Sequence, residues 1–254
     1  MAKPILVANW KNHPSSPSEA KTLLKHIAKS AKLYKKFSFF IAPPFPYFES
    51  VSECIRNFGQ LAAQNMSNLS FGTYTGQVTP DILKGFGVRL VILGHSECRV
   101  LGETNEMVAE KLKIALNAGI TPLVCVGEAS RDQDGEYFEF LRQQLKFSLS
   151  GLNAKTDISK VVLAYEPVWA IGKRAQDAIT PDDLAQTVIF IKKVLTDIFG
   201  RELAERVPIL YGGSVEPVNA SVLAAGTGIK GFLVGHASLD AKSFQDVAKS
   251  LIFK

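Results

Sequence analysis

A chain of 254 residues with 46% apolar and 21% charged side chains, 19 glycines and 12 prolines is too apolar for a disordered polymer and long enough for one or two domains. No apolar run reaches the roughly 20 residues that cross a bilayer, which excludes a helical membrane protein. The excess of 29 Lys and Arg over 24 Asp and Glu, a net charge of +5, suits an anionic ligand but is too mild to argue for nucleic acid.

Along the chain, short apolar runs alternate with longer amphipathic stretches. The runs are Ile5–Ala8, Phe37–Ala42, Leu61–Gln64, Leu90–Leu93, Pro122–Val126, Val161–Ala164, Val207–Tyr211 and Gly231–Val234. Each is four to six residues of mostly Val, Ile, Leu or Phe without in-out alternation, the pattern of strands buried on both faces of a parallel sheet. Between them, Ser16-Pro17-Ser18-Glu19 reads as a capping box with proline in the first helical position. Thr79-Pro80-Asp81 and Thr180-Pro181-Asp182-Asp183 combine a cap, a proline and acids at the positive end of a helix dipole. Glu106–Ala118 has helical apolar spacing and ends at Gly119. Eight strand-then-helix units in one chain of this length predict an α/β fold, a single (β/α)8 barrel domain over residues 1–254 with eight parallel strands surrounded by helices. A doubly wound open sheet is the alternative.

Several signals point nowhere. Cys54, Cys98 and Cys125 lie far apart and suggest neither disulfides nor zinc. The start, Met1-Ala2-Lys3-Pro4 followed by a short apolar stretch, is not a secretory leader, so the chain is expected to be soluble and cytoplasmic. Gly226-Thr227-Gly228-Ile229-Lys230-Gly231 matches G-x-G-x-x-G, but the dinucleotide fingerprint needs a strand before it and a helix after it. Here the order is reversed, which makes it a helix-to-strand loop.

In a (β/α)8 barrel, function gathers at the carboxyl ends of the strands. Asn9 and Lys11 follow the first run, His95 and Glu97 the fourth, Glu166 the sixth, Gly212-Gly213-Ser214 the seventh and Gly235-His236 the eighth. Glu166, hemmed by Tyr165, Pro167 and Trp169, would be partly desolvated and so a better base; a helix cap or an ion pair is the plain alternative. The apolar stretch between Pro167 and Gly172 suggests a lid that excludes water. Ser96 can cap a following short helix, which would place a neutral His95 at its positive end, ready to donate to a carbonyl. Lys11 is either a solvated surface charge or, beside Asn9, a stabiliser of developing negative charge. The glycines after runs seven and eight would offer backbone N–H groups to a phosphate.

The segments Ala8-Asn9-Trp10-Lys11, Gly94-His95-Ser96-Glu97, Cys125-Val126-Gly127-Glu128, Ala164 to Gly172, Tyr211-Gly212-Gly213-Ser214-Val215 and Gly231-Phe232-Leu233-Val234-Gly235 together closely resemble the triosephosphate isomerase family, in its order and roughly its spacing. That resemblance implies interconversion of dihydroxyacetone phosphate and D-glyceraldehyde 3-phosphate through an enediolate, with no metal or organic cofactor. Glu166 would carry the proton between carbons and neutral His95 would polarise the carbonyl. Lys11 and Asn9 would hold the substrate and stabilise the enediolate, with Glu97 in support. Ile171, Gly172, Ser214, Leu233, Gly235 and His236 would form the substrate and phosphate site. The resemblance also implies a homodimer in which the loop around Thr75 and Gly76 reaches the neighbouring subunit, with neither nucleic acid nor membrane as a partner.

The chain departs from the family in places. His236 stands where a second glycine is usual; its backbone N–H survives, and the ring is expected to face solvent. Lys173-Arg174-Ala175 replaces a stretch that usually holds another glycine, which bears on lid closure. Gln77 and Cys98 replace a glutamate and an arginine that pair across subunits, so altered cross-subunit contacts are expected. Two competing readings are another phosphate-binding barrel enzyme and a non-catalytic binding protein on the same scaffold. Neither explains the combination of Asn9, Lys11, His95 and Glu166.

Overall fold

The computed structural model describes residues 3–69, 72–132, 134–152, 158–172 and 178–252. Eight parallel strands close on themselves in chain order: β1 (Ile5–Asn9), β2 (Ser38–Ala42), β3 (Gln60–Ala63), β4 (Leu90–Leu93), β5 (Thr121–Val126), β6 (Val162–Tyr165), β7 (Ile209–Tyr211) and β8 (Gly231–Val234). Closure is made by β8 against β1, in the register Ile5 to Gly231 through Ala8 to Val234. The open-sheet alternative is thereby removed.

The lack of alternation in the apolar runs has its cause in two separate cores. Val7, Phe40, Ala62, Leu90, Ile92, Leu123, Val162 and Leu210 point inward and fill the barrel. Their neighbours in the same strands, such as Leu6, Phe39, Val91, Val124, Leu163 and Ile209, point outward and pack under the helices. A strand with both faces covered has no position left for a polar residue until it reaches its end. The helices form the outer layer by burying one stripe each. Pro17–Ala28, for instance, buries Ala20, Leu23, Leu24 and Ile27.

The helix starts follow the sequence signals with instructive shifts. Ser16 Oγ accepts from the Glu19 N–H at 3.3 Å, but the Glu19 carboxylate reaches back to Ser15 N at 3.2 Å rather than to Ser16. Thr180 Oγ1 accepts from Asp183 N at 3.1 Å. Thr79 makes no side-chain cap, so Pro80–Gly85 is capped by backbone alone. The helix expected to begin at Glu106 begins at Asn105, because Thr104 caps it through Met107 N at 3.3 Å. The Gly226–Gly231 stretch does lead from a helix, Ala220–Ala224, into β8. Among the described residues no helix is long and apolar enough to cross a membrane.

Candidate active site

A cleft of about 490 Å³ opens at the carboxyl ends of the strands. Asn9 ends β1, Glu166 follows β6, Gly212 follows β7 and Gly235 follows β8, so strand closure alone brings them together. Asn9, Lys11, His95, Glu166, Ile171, Gly172, Ser214, Leu233, Gly235 and His236 all line the cleft. Glu97 stands behind it, with its carboxylate on Lys11 Nζ at 2.5 Å.

Glu166 is 2% exposed. Its Oε2 accepts the Ser96 backbone N–H at 3.2 Å. Oε1 lies 3.4 Å from His95 Nε2, and no N–H or O–H among the described residues donates to it. One oxygen of a buried carboxylate is thus held by a backbone N–H, and the other is turned toward the imidazole. Beneath it, the Cys125 thiol is pushed well above its ordinary range, first by burial and then by the Glu166 charge, so it stays a thiol.

His95 differs from the sequence expectation in one respect. The cap of the short helix Ser96–Val100 is His95 itself, not Ser96: its Nδ1 accepts the Glu97 N–H at 3.2 Å. A ring nitrogen that accepts a hydrogen bond carries no proton, so this cap assigns the hydrogen to Nε2, the nitrogen facing the cleft and Glu166. The uncharged donor that the sequence reading required is produced by a different bond. The Ser96 N–H, a first-turn donor with no partner inside the helix, holds Glu166.

Buried charges fix the backbone before His95. Gly94 N–H donates to Glu103 Oε2 at 2.8 Å and Gly94 O accepts from Arg99 Nε at 2.7 Å. Glu103 in turn holds Lys111 Nζ at 2.5 Å, and Lys111 also donates to Asn65 Oδ1 at 3.0 Å. Lys11 is pinned as closely. Its φ of +51° places it in the left-handed region, where it is the one non-glycine found among the described residues. Asn9 Oδ1 accepts its N–H at 3.1 Å and Gln64 Nε2 donates to its carbonyl at 2.7 Å. Such over-determination holds a conformation that costs roughly 1–2 kcal/mol and aims the ammonium into the mouth.

Gly212 and Gly213 are among the glycines required by space. A Cβ on Gly212 would sit 2.8 Å from Glu166 Cγ, and one on Gly213 would sit 2.3 Å from Tyr211 Oη. The stretch after Pro167 is less open than expected: Val168 and Trp169 are half-buried and Ala170 is buried. Glu128, 1% exposed, explains the docking. Its Oε1 accepts from Trp169 Nε1 at 2.8 Å, Tyr165 Oη at 2.8 Å and Arg131 Nε at 3.0 Å. Lys173-Arg174-Ala175 lies outside the described residues.

Sequence reasoning left Glu128, Arg131, Glu103, Lys111 and Glu216 without roles. Glu128 stood inside a recognised segment, which was a usable signal. The others had none: Arg131 meets Tyr165 and Thr187, and Glu216 meets His236, across distant segments, and nothing in the spacing of Glu103 and Lys111 marks them as a buried pair. Among the described residues no group of three or more His, Cys, Asp or Glu is placed to hold a metal ion.

The family model described as Triosephosphate isomerase matches residues 4–251. The chain belongs to the triosephosphate isomerase family. Relatives bearing the name triosephosphate isomerase include one from Carboxydothermus hydrogenoformans, 39% identical over 255 residues covering 99% of this chain and 100% of the relative. Another, from a Thermoanaerobacter species, is 41% identical and covers 97% and 99%. A third, from Dictyoglomus thermophilum, is 36% identical and covers 98% and 100%. A triosephosphate isomerase family member is thus matched over nearly its whole length, and the six segments that carried the resemblance contribute most of the cleft.

Proposed function

We propose that the cleft performs the reaction for which the family is named, the interconversion of dihydroxyacetone phosphate and D-glyceraldehyde 3-phosphate by proton transfer. The single observation that carries the assignment of roles is the pairing of buried Glu166 Oε1, to which no N–H or O–H among the described residues donates, with His95 Nε2 at 3.4 Å. A base and an uncharged donor at that spacing suit a substrate whose acidic C–H and carbonyl are on adjacent carbons. Glu166 takes the proton from one carbon as His95 Nε2–H stabilises the oxygen on the other, giving an enediolate. Glu166 then returns the proton to the neighbouring carbon while His95 relays protons between the oxygens, so atoms and charge balance with no added reagent.

Lys11 and Asn9 face the same space and are suited to hold the substrate and offset the enediolate charge. Lys11 is ion-paired with Glu97, which fixes the position of the ammonium at the mouth of the cleft. The backbone N–H groups of Gly172, Ser214, Gly235 and His236 would bind the phosphate, with Ile171 above and Leu233 as an apolar wall. Docking of Val168–Ala170 onto Glu128 provides the near anchor of a lid that would keep water from the enediolate.

The chain would work as one barrel domain, in the cytoplasm, as a homodimer. In support of the dimer, residues 72–77 are exposed and carry Tyr74 at 46%, while Val100 and Leu101 are 84% and 88% exposed beside the mouth. Light scattering at micromolar concentration should give twice the chain mass, and a monomer would refute that assignment. The function itself is tested by a coupled turnover assay on glyceraldehyde 3-phosphate. Rapid isomerisation is expected; binding without turnover would favour a non-catalytic barrel.

A further inference from the structure

The phosphate end of the cleft holds two side chains to which the mechanism gives no role. Glu216 follows the turn after β7, His236 follows β8, and both line the cleft. His236 Nδ1 lies 3.3 Å from Glu216 Oε1. The imidazole is 90% exposed and the Glu216 side chain 30% exposed, so burial does not hold either in place. Their backbones are held. Glu216 N–H donates to Asn219 Oδ1 at 2.9 Å, and the same asparagine donates to Ser214 O at 3.0 Å. Ser238 Oγ donates to Gly235 O at 2.6 Å. The pair therefore bridges the two turns whose N–H groups are proposed to take the phosphate.

Glu216 poses an electrostatic problem there. A phosphate monoester carries about −1.5 to −2 charges near neutral pH, and a carboxylate in the same cleft repels it. Among the described residues, the other charged or titratable groups of the cleft are Lys11, His95 and Glu166. Lys11 is committed to Glu97, His95 is an uncharged donor, and Glu166 is itself an anion. Helix Ala241–Ser250, packed against the turn that carries His236, bears Lys242, Asp246 and Lys249, which pair with one another. Asp240 is occupied in capping that helix through Ser243 N. His236 is the group that meets Glu216.

We propose that His236 masks Glu216, and that this pair sets how tightly the phosphate end of the cleft accepts small dianions, inorganic phosphate and phosphomonoesters alike. Through its contact with Oε1 the imidazole fixes the carboxylate beside the subsite and draws off part of its negative charge. Both act through the anion's electrostatic surroundings and touch no reacting atom, so they are positioning residues. The inference rests on the phosphate subsite proposed above.

The test compares the wild type with Glu216→Gln, His236→Gln and the double variant, reading KM, kcat and the inhibition constant of inorganic phosphate against glyceraldehyde 3-phosphate. Exposed pairs support effects of about two- to fivefold. His236→Gln is expected to raise KM and the inhibition constant by that factor, and Glu216→Gln to lower both, with kcat moving less. In the Glu216→Gln background the His236→Gln effect should vanish, since no carboxylate remains to mask. Equal phosphate inhibition in all four proteins, or a His236→Gln effect undiminished without Glu216, overturns the pair alone. Failure of inorganic phosphate to compete in the wild type overturns the subsite and the pair together.

Discussion

Lys111 and Glu103 are 6% and 7% exposed and lie beneath the Gly94–His95 turn. Replacing Lys111 with Met keeps the volume but leaves a carboxylate buried, with Gly94 N–H as its remaining donor among the described residues. Breaking a buried pair from one side costs about 3–5 kcal/mol, because the surviving charge keeps its desolvation penalty and loses its partner. For a chain of this size each kcal/mol lowers Tm by about 2–4 °C, so Lys111→Met should melt roughly 6–20 °C below the wild type. Adding Glu103→Gln removes the orphaned charge while keeping an oxygen for Gly94, and should recover at least half of the loss. Thermal unfolding by circular dichroism, at one protein concentration for all variants, reads the cycle directly. A Lys111→Met loss below about 1 kcal/mol, or a double variant no more stable than Lys111→Met, would refute this reasoning about the buried pair.

Other outcomes follow from the same geometry. Gly212→Ala should fold but displace Glu166, whose Cγ would be 2.8 Å from the new Cβ; a misplacement of about 1 Å corresponds to roughly 10²-fold in kcat, and unchanged kcat would show that the carboxylate has room to give. Lys11→Ala should weaken binding of the anionic substrate and lower kcat by about 10²–10³-fold, as loss of a charge-stabilising donor does, whereas unchanged KM and kcat would remove Lys11 from the mechanism. Burial, followed by the nearby Glu103 charge, pushes the Cys98 thiol up to about 11 from an ordinary 9.0. The folded state then holds the proton more tightly than the unfolded one, so this contribution to stability is complete below the ordinary value and is lost as pH rises from about 9 towards 11. Melting temperatures of the wild type should fall more steeply over that window than those of Cys98→Ser, and parallel curves would contradict the assignment.

The fold was legible because a (β/α)8 barrel covers both faces of every strand, leaving eight uninterrupted apolar runs with polar residues only at their ends. The boundaries shifted by one or two residues where a side chain intervened, as at Thr104, whose cap moved a helix start. Positions in the cleft were legible for the same reason: Asn9, His95, Glu166 and Gly235 are polar or glycine interruptions at strand ends. What could not be read were interactions between distant segments. Arg131 reaches Tyr165 and Thr187, 34 and 56 residues away, and nothing around it in the chain announces that. The cap on the helix after β4 was misassigned because serine is the usual cap and histidine is not, although His95 Nδ1 can accept as well as a hydroxyl. The His236 ring faces solvent as expected, yet its approach to Glu216 emerges only when the turns after β7 and β8 are placed side by side.

The account turns on Glu166 as the group that moves the proton. The most direct measurement is the turnover of Glu166→Gln on glyceraldehyde 3-phosphate, with inorganic phosphate inhibition as a check that the cleft is intact. A neutral amide at that position should lower kcat by at least about 10²–10⁴-fold while phosphate still competes. Wild-type turnover by a correctly folded Glu166→Gln would contradict the account.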